Sequence, residues 1–294
     1  MPGAPFDLGD YLRRIGFSGE ARADVATLRE LVRLHAQAIP FENLDAFTGR
    51  AVRLDDAAVA DKLLRRGRGG WCFEQNLLLG NALRALGFAV TDLAARVVWN
   101  RPADAPTART HRLLQVSAGG REWLADAGFG GQTLTGLLDM HSTEAQPTPH
   151  EPFRLRALGD EQVLESQIRG EWLPLFRFNL QPQLPVDFEA ANFQLAHDPA
   201  SHFTQGITVS QATAAGRHVL RGHPLQGIEM VFHARGGESR RVGLATVAEI
   251  MQALREVFRL PVEELPDLEA RLQQLLAAAE VQAVQAATGS AARS

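Results

Sequence analysis

The sequence predicts an α+β protein, and three observations carry that expectation. Residues 1–87 read as mostly helical. Short segments rich in Val, Leu and Trp, separated by turn residues, begin at residue 88. Helical periodicity then returns near residue 245.

The first helical signal is in TLRELVRLHAQAIPF, where Leu28, Leu31, Val32, His35 and Ala38 follow i, i+3, i+4, i+7 spacing until Pro40 stops it. A second helix is predicted over FEQNLLLGNALRAL, with Leu79, Ala82, Leu83 and Leu86 on one face and Gly87 as its stop. Strands follow in FAVTDLAARVVW, THRLLQVSA and REWLADA. FRLRAL, QVLESQI, HVLRG and EMVFHAR come later, and together these segments read as an antiparallel sheet or barrel. TVAEIMQALREVF and DLEARLQQLLAAAE restore the helical pattern, and the small, polar tail VQAVQAATGSAARS is expected to fray. No internal repeat is apparent.

Composition narrows the function. The 294 residues are 45% hydrophobic and 22% charged, as in ordinary globular proteins, and the length suits about two domains. A net charge of −4 and scattered arginines leave no footprint for nucleic acid. No stretch reads as a signal peptide or reaches the roughly 18 apolar residues of a membrane span. A single cysteine excludes an intramolecular disulfide and fits a reducing compartment, so a cytoplasmic location is expected. Lys62 is the only lysine, so any Schiff-base chemistry would rest on it alone. G-x-S-x-G, G-x-x-x-x-G-K-[ST] and H-E-x-x-H are absent, and neither GRGG nor GFGG completes G-x-G-x-x-G. No metal and no dinucleotide cofactor are expected.

The lone cysteine sits in RGRGGWCFEQN, residues 66–76, after glycines and at the edge of a predicted helix. Unpaired N–H groups and the positive end of the helix dipole favour a thiolate at such an edge. Arg66 and Arg68 would add positive potential. A free cysteine that merely packs is the competing reading.

THRLLQVSAGGREWLADAGFGG reads as a hairpin turning at Gly119-Gly120. Pairing Ala118 with Arg121 sets Leu113 opposite Asp126. His111 then lies on the same face, a diagonal neighbour about 7–8 Å away and within side-chain reach. Cysteine, histidine and aspartate together form the set that nucleophilic thiol chemistry needs: the histidine takes the thiol proton, and the aspartate orients the ring and stabilises the imidazolium. A structural His–Asp pair is the alternative. The glycines of AGFGG (127–131) expose backbone near Asp126, with Phe129 between them as core plug or pocket wall.

Four blocks in order, IPFENLD (39–45), RGGWCFEQN (68–76), THRLLQV (110–116) and WLADAGFGG (123–131), make the chain resemble the arylamine N-acetyltransferases, from YLRRIGF at residue 11 to about residue 280. That resemblance matches Cys72, His111 and Asp126 to the family's acetyl-accepting cysteine, histidine and aspartate. It implies an N-terminal helical bundle (1–87), a β-barrel (88–200) and a C-terminal α/β lid (201–294), a scaffold similar to the papain-type thiol hydrolases. It also implies ping-pong transfer from acetyl-CoA to an arylamine, arylhydrazine or N-hydroxyarylamine. Phe129 and Phe203 would line the acceptor site, with Thr107 and Gly130 near the pantetheine arm. Trp71 stands where Tyr or Phe is common, and Ala127 where Val is common. Related readings of the same residues are an amide synthase or thiol hydrolase on this scaffold, separable by acyl-donor screening, and a non-catalytic binding protein.

Overall fold

The computed structural model describes residues 6–291, with helices at both ends of the chain and two antiparallel sheets between them: an α+β fold. The strands are β1 (Phe41–Glu42), β2 (Ala89–Val97), β3 (Arg109–Ala118), β4 (Arg121–Ala125), β5 (Leu138–Asp139), β6 (Phe153–Leu158), β7 (Glu161–Ile168), β8 (Glu171–Phe178), β9 (Ile207–Thr213), β10 (Gly216–His223), β11 (Gly227–Ala234) and β12 (Ser239–Gly243).

Seven strands pair in the order β5-β4-β3-β2-β8-β7-β6. The connection after β5 nearly closes this sheet into a barrel: Gln146 and Phe153 exchange backbone hydrogen bonds at 2.7 and 3.0 Å beside β6. Leu93, Leu113, Leu124, Leu164 and Phe176 fill its interior. FRLRAL and QVLESQI join this sheet. HVLRG and EMVFHAR do not: they become β10 and β11 of a second, five-stranded sheet ordered β1-β9-β10-β11-β12. The second sheet recruits β1 from far upstream, with Phe41 opposite Ser210, and packs against the helices Val247–Glu256 and Leu268–Ala291 through Leu220, Ile250, Leu254 and Leu272. The last helix continues through the stretch expected to fray, as far as Ala291; the remaining three tail residues lie outside the described ones.

Local chemistry sets the helices that carry the site. Asp24 caps Val25–Ala38 by accepting the Thr27 amide at 2.8 Å, and Pro40 prevents continuation. The helix Cys72–Ala85 starts after Gly69-Gly70, where the chain runs so close to Pro40 that a Cβ on Gly69 would lie 2.2 Å from Pro40 O. Its first turn is sealed by Glu74, whose Oε2 accepts the Trp71 amide at 3.1 Å. One apolar face was expected here. Every residue from Cys72 to Gly80 is instead buried, including Glu74, Gln75 and Asn76, because the helix threads between the bundle and the barrel. Each of these polar side chains has a partner.

His35 is fully buried between Tyr11 and Gln75, and burial lowers its pKa to about 4. The unfolded chain therefore binds a proton near pH 6.5 that the native state refuses until about pH 4. Stability is lost as pH falls across that window, by up to about 3 kcal/mol from this group. Thermal melts from pH 7 to 4.5 should show a steeper decline in the wild type than in His35→Gln. Equal slopes would mean that His35 titrates normally.

Candidate active site

The Gly119-Gly120 turn, with both φ positive (60° and 72°), pairs Ala118 with Arg121 and Leu114 with Ala125, the register expected from the sequence. Asp126 follows directly, and its Oδ2 lies 2.7 Å from His111 Nε2. The other oxygen, Oδ1, accepts Asn76 Nδ2 and the Gly128 amide, each at 2.8 Å. His111 and Asp126 are 2% and 0% exposed, so neither charge is shared with water. The Cys72 thiol lies close enough to the His111 ring to help raise its pKa, and it donates to Thr110 O at 3.6 Å. With Nε2 turned to Asp126, Nδ1 is the nitrogen left for the thiol. The structure thus brings Cys72, His111 and Asp126 into one chain of contacts.

Burial alone would drive the His111 ring neutral, but Asp126 and Cys72 outweigh it and push the pKa up to about 10. Its protonated form is therefore the one this pocket stabilises near neutrality. Aromatic rings hold the imidazole in place: Phe176 lies 4.8 Å away centroid to centroid, and Phe129 meets it edge-on at 5.2 Å.

Cys72 and His111 open onto a cavity of about 370 Å³. Phe41, Trp99, Phe129 and Phe203 give it an aromatic wall, and Thr110, His202, Arg221 and His233 a polar one. Phe129 and Phe203, expected at the acceptor site, and Gly130, expected near the pantetheine arm, all line it. Thr107 does not: Arg96 holds its carbonyl, its hydroxyl is buried without a protein partner, and Thr110 reaches the cavity instead. Arg66 and Arg68 add no charge to the thiol. Arg68 is buried against Glu42 and Asp45, and Arg66 pairs with Glu264 at 2.5 Å. Lys62 is held at 2.8 Å from Glu74 and 2.6 Å from Asp45. Burial opposes its charge, but Glu74, Glu42 and Asp45 outweigh burial and raise its pKa, so it is a fixed cation rather than an amine nucleophile.

Sequence reasoning missed Asn76. It lies four residues after Cys72, so both occupy one face of the helix. It donates to Asp126 and to Arg112 O and accepts the Ala127 amide at 3.0 Å, tying the helix to the β4 end of the hairpin. The sequence signal was the i, i+4 spacing of a polar side chain behind the thiol.

Gly128 packs directly on the helix start: an added Cβ would lie 2.7 Å from Cys72 Cα and 2.9 Å from Asn76 Nδ2. Gly128→Ala is expected to destabilise by about 1–3 kcal/mol through overpacking. It should also slow iodoacetamide alkylation of Cys72, measured beside a thermal melt. Unchanged alkylation with an unchanged melt would contradict this tight approach.

Among the described residues no cluster of three or more His, Cys, Asp or Glu is arranged to hold a metal ion, and no helix is long and apolar enough to cross a membrane. The family profile described as N-acetyltransferase matches residues 24–266. The arylamine N-acetyltransferase of Mycolicibacterium smegmatis is 41% identical over 276 residues, covering 92% of this chain and 98% of that protein. The Escherichia coli arylamine N-acetyltransferase is 38% identical over 257 residues, covering 87% and 90%. Among solved structures, Mycobacterium marinum arylamine N-acetyltransferase in complex with CoA superposes with a TM-score of 0.86 at 37% identity, covering 92% of this chain and 99% of that one. With matches of this extent, the chain belongs to the arylamine N-acetyltransferase family of acyltransferases.

Proposed function

We propose that the protein transfers acetyl from acetyl-CoA to an arylamine, arylhydrazine or N-hydroxyarylamine through a thioester on Cys72, in a ping-pong sequence. The observation that carries this reading is a cysteine at a helix start, in contact with a buried His111–Asp126 pair, at the edge of an aromatic-walled cavity. Residues 1–87 supply the nucleophile, 88–200 the histidine and aspartate, and 201–294 a cover over the cavity. The reaction takes place in the cytoplasm and needs no metal.

In the first half-reaction the Cys72 thiolate attacks the thioester carbonyl, and the Cys72 amide at the helix edge is the first candidate donor to the oxyanion. The C–S bond to CoA breaks, and CoA leaves as a thiol with the proton from His111. Acylation removes the thiolate charge beside the ring, and His111, having given its proton to CoA, enters the second half-reaction as a base. In the second half-reaction the acceptor nitrogen attacks acetyl-Cys72 and His111 takes its proton. An arylamine is neutral at pH 7, whereas an alkylamine is largely protonated and non-nucleophilic. Phe129 and Phe203 seat the acceptor ring and keep water from the thioester. Gly130, in the wall, is the proposed contact of the pantetheine arm.

Enzyme mixed with acetyl-CoA and no amine should release CoA in a burst of about one equivalent per site. Intact mass should show one acetyl adduct, removable by neutral hydroxylamine and cleared by an arylamine. Because Cys72 is the only cysteine and Lys62 the only lysine, the adduct is readily assigned. Rapid arylamine turnover with neither burst nor adduct would mean direct transfer in a ternary complex, and the ping-pong reading would fall.

A further inference from the structure

Three fully buried polar side chains outside the Cys72–His111–Asp126 set form one directed chain. Gln75 Nε2 lies 2.8 Å from Pro40 O, 3.1 Å from Gly70 O and 3.3 Å from Ile39 O. Three carbonyls around one atom fix the amide: that atom is the NH₂, and Oε1 faces the other way. There it meets His35 Nε2 at 2.7 Å, so Nε2 carries a hydrogen and Nδ1 is an acceptor. Tyr11 OH, 3.1 Å from Nδ1, is then the donor. Every direction follows from the three carbonyls, and a neutral His35 with this one tautomer satisfies all of them.

The carbonyls held by Gln75 belong to two segments that meet beneath the cavity. Pro40 and Ile39 lead into Phe41, and Gly70 leads into Trp71 and Cys72. The segments also bond directly, Gly70 N to Pro40 O and Glu42 N to Gly70 O, both at 3.2 Å. Phe41 turns its ring into the cavity wall, 6.2 Å from the Phe203 ring and against Gly130. The thiol and this wall are about 30 residues apart in sequence, and the Gln75 amide bridges their backbones. The Cys72–His111 contact is braced separately, by Asn76 on Asp126, Arg112 O and the Ala127 amide.

We propose that Gln75, oriented by His35 and Tyr11, is a positioning residue that sets the Phe41 wall against Cys72, and so governs how the acceptor amine is seated over the acyl group. The proposal rests on the acetyl-transfer reading above. Its consequence is a split between steps. Loosening the clamp misplaces the acceptor but leaves the thiol and its histidine in place.

The test compares His35→Leu, His35→Gln, Gln75→Leu and Tyr11→Phe with the wild type. Each is measured for iodoacetamide alkylation of Cys72, CoA burst amplitude, arylamine KM and melting temperature. His35→Leu and Gln75→Leu should raise the arylamine KM about tenfold or more, since small misplacements of reacting groups cost rate steeply. Alkylation should stay within about twofold, with a burst still near one equivalent. His35→Gln, whose amide nitrogen can donate to Gln75 Oε1, should recover most of the KM. Tyr11→Phe should shift it in the same direction by less, and it stands in if either leucine variant fails to fold. Two results overturn the proposal: a KM unchanged in the folded variants, or alkylation, burst and KM all worsening in step with melting temperature and no recovery in His35→Gln. A wild type without burst or adduct would instead overturn the ping-pong reading on which the proposal rests.

Discussion

Cys72→Ala is expected to abolish acetyl transfer while leaving the fold standing. The loss follows from removing the atom that carries the acyl group, and losses on the order of 10⁴–10⁶-fold accompany removal of a nucleophile from sets of this kind. The fold should survive because the sulfur is at a cavity wall rather than inside a closed core: Cys72 is 7% exposed and lines the cavity, and its side-chain hydrogen bond to Thr110 O is a long one, at 3.6 Å. The helix start does not depend on it either, since the Trp71 amide is held by Glu74 and the loop before it by Gln75. Activity, circular dichroism and a thermal melt on the same preparation check this. Wild-type turnover in the variant would remove Cys72 from the mechanism, and a variant that fails to fold would assign the thiol to packing.

The parts of the site legible in the sequence are those set by local geometry. A two-glycine turn determines a hairpin register, so His111 and Asp126 could be placed on one face before any fold was known, and the contact at 2.7 Å follows from that register. The placement of Cys72 at a helix start was legible for the same reason: Gly69-Gly70 before it and an apolar helical run after it are local signals.

What stayed hidden depends on pairing across long separations. Nothing local to HVLRG or EMVFHAR says which sheet they join; that is decided by β9 meeting Phe41–Glu42 more than 160 residues upstream. The same holds for Arg68. Its charge near the thiol in sequence suggested an electrostatic role, but the chain folds Glu42 and Asp45 against it and neutralises it. Gln75 and Asn76 follow the cysteine on what reads as a half-solvated helix. They became recognisable as site residues only once the helix proved to be buried on all sides, where a polar side chain must find a partner.

Asp126→Asn should cost about 10⁴-fold in turnover, as in comparable triads, with little change in shape. The surroundings of Asp126 dictate how the new amide sits. Oδ1 accepts two donors, Asn76 Nδ2 and the Gly128 amide, both at 2.8 Å. An NH₂ cannot occupy that position, so the amide oxygen takes it and the NH₂ replaces Oδ2, facing His111 Nε2. A donor there forces Nε2 to be the acceptor and moves the ring hydrogen to Nδ1, the nitrogen turned to Cys72. The ring can then no longer accept the thiol proton. The charge change works in the same direction. Without the Asp126 carboxylate, the burial that already opposes the imidazolium is left with less against it, and the His111 pKa falls from its raised value of about 10. Iodoacetamide alkylation measured from pH 5.5 to 9 reads this directly. In the wild type the rate should stay nearly flat across neutrality, because the ring keeps its proton. In Asp126→Asn it should drop below pH 7 and climb only as the thiol ionises without help. An alkylation rate below pH 7 equal to that of the wild type would mean that Asp126 does not support the Cys72–His111 pair, and the buried contact would be structural.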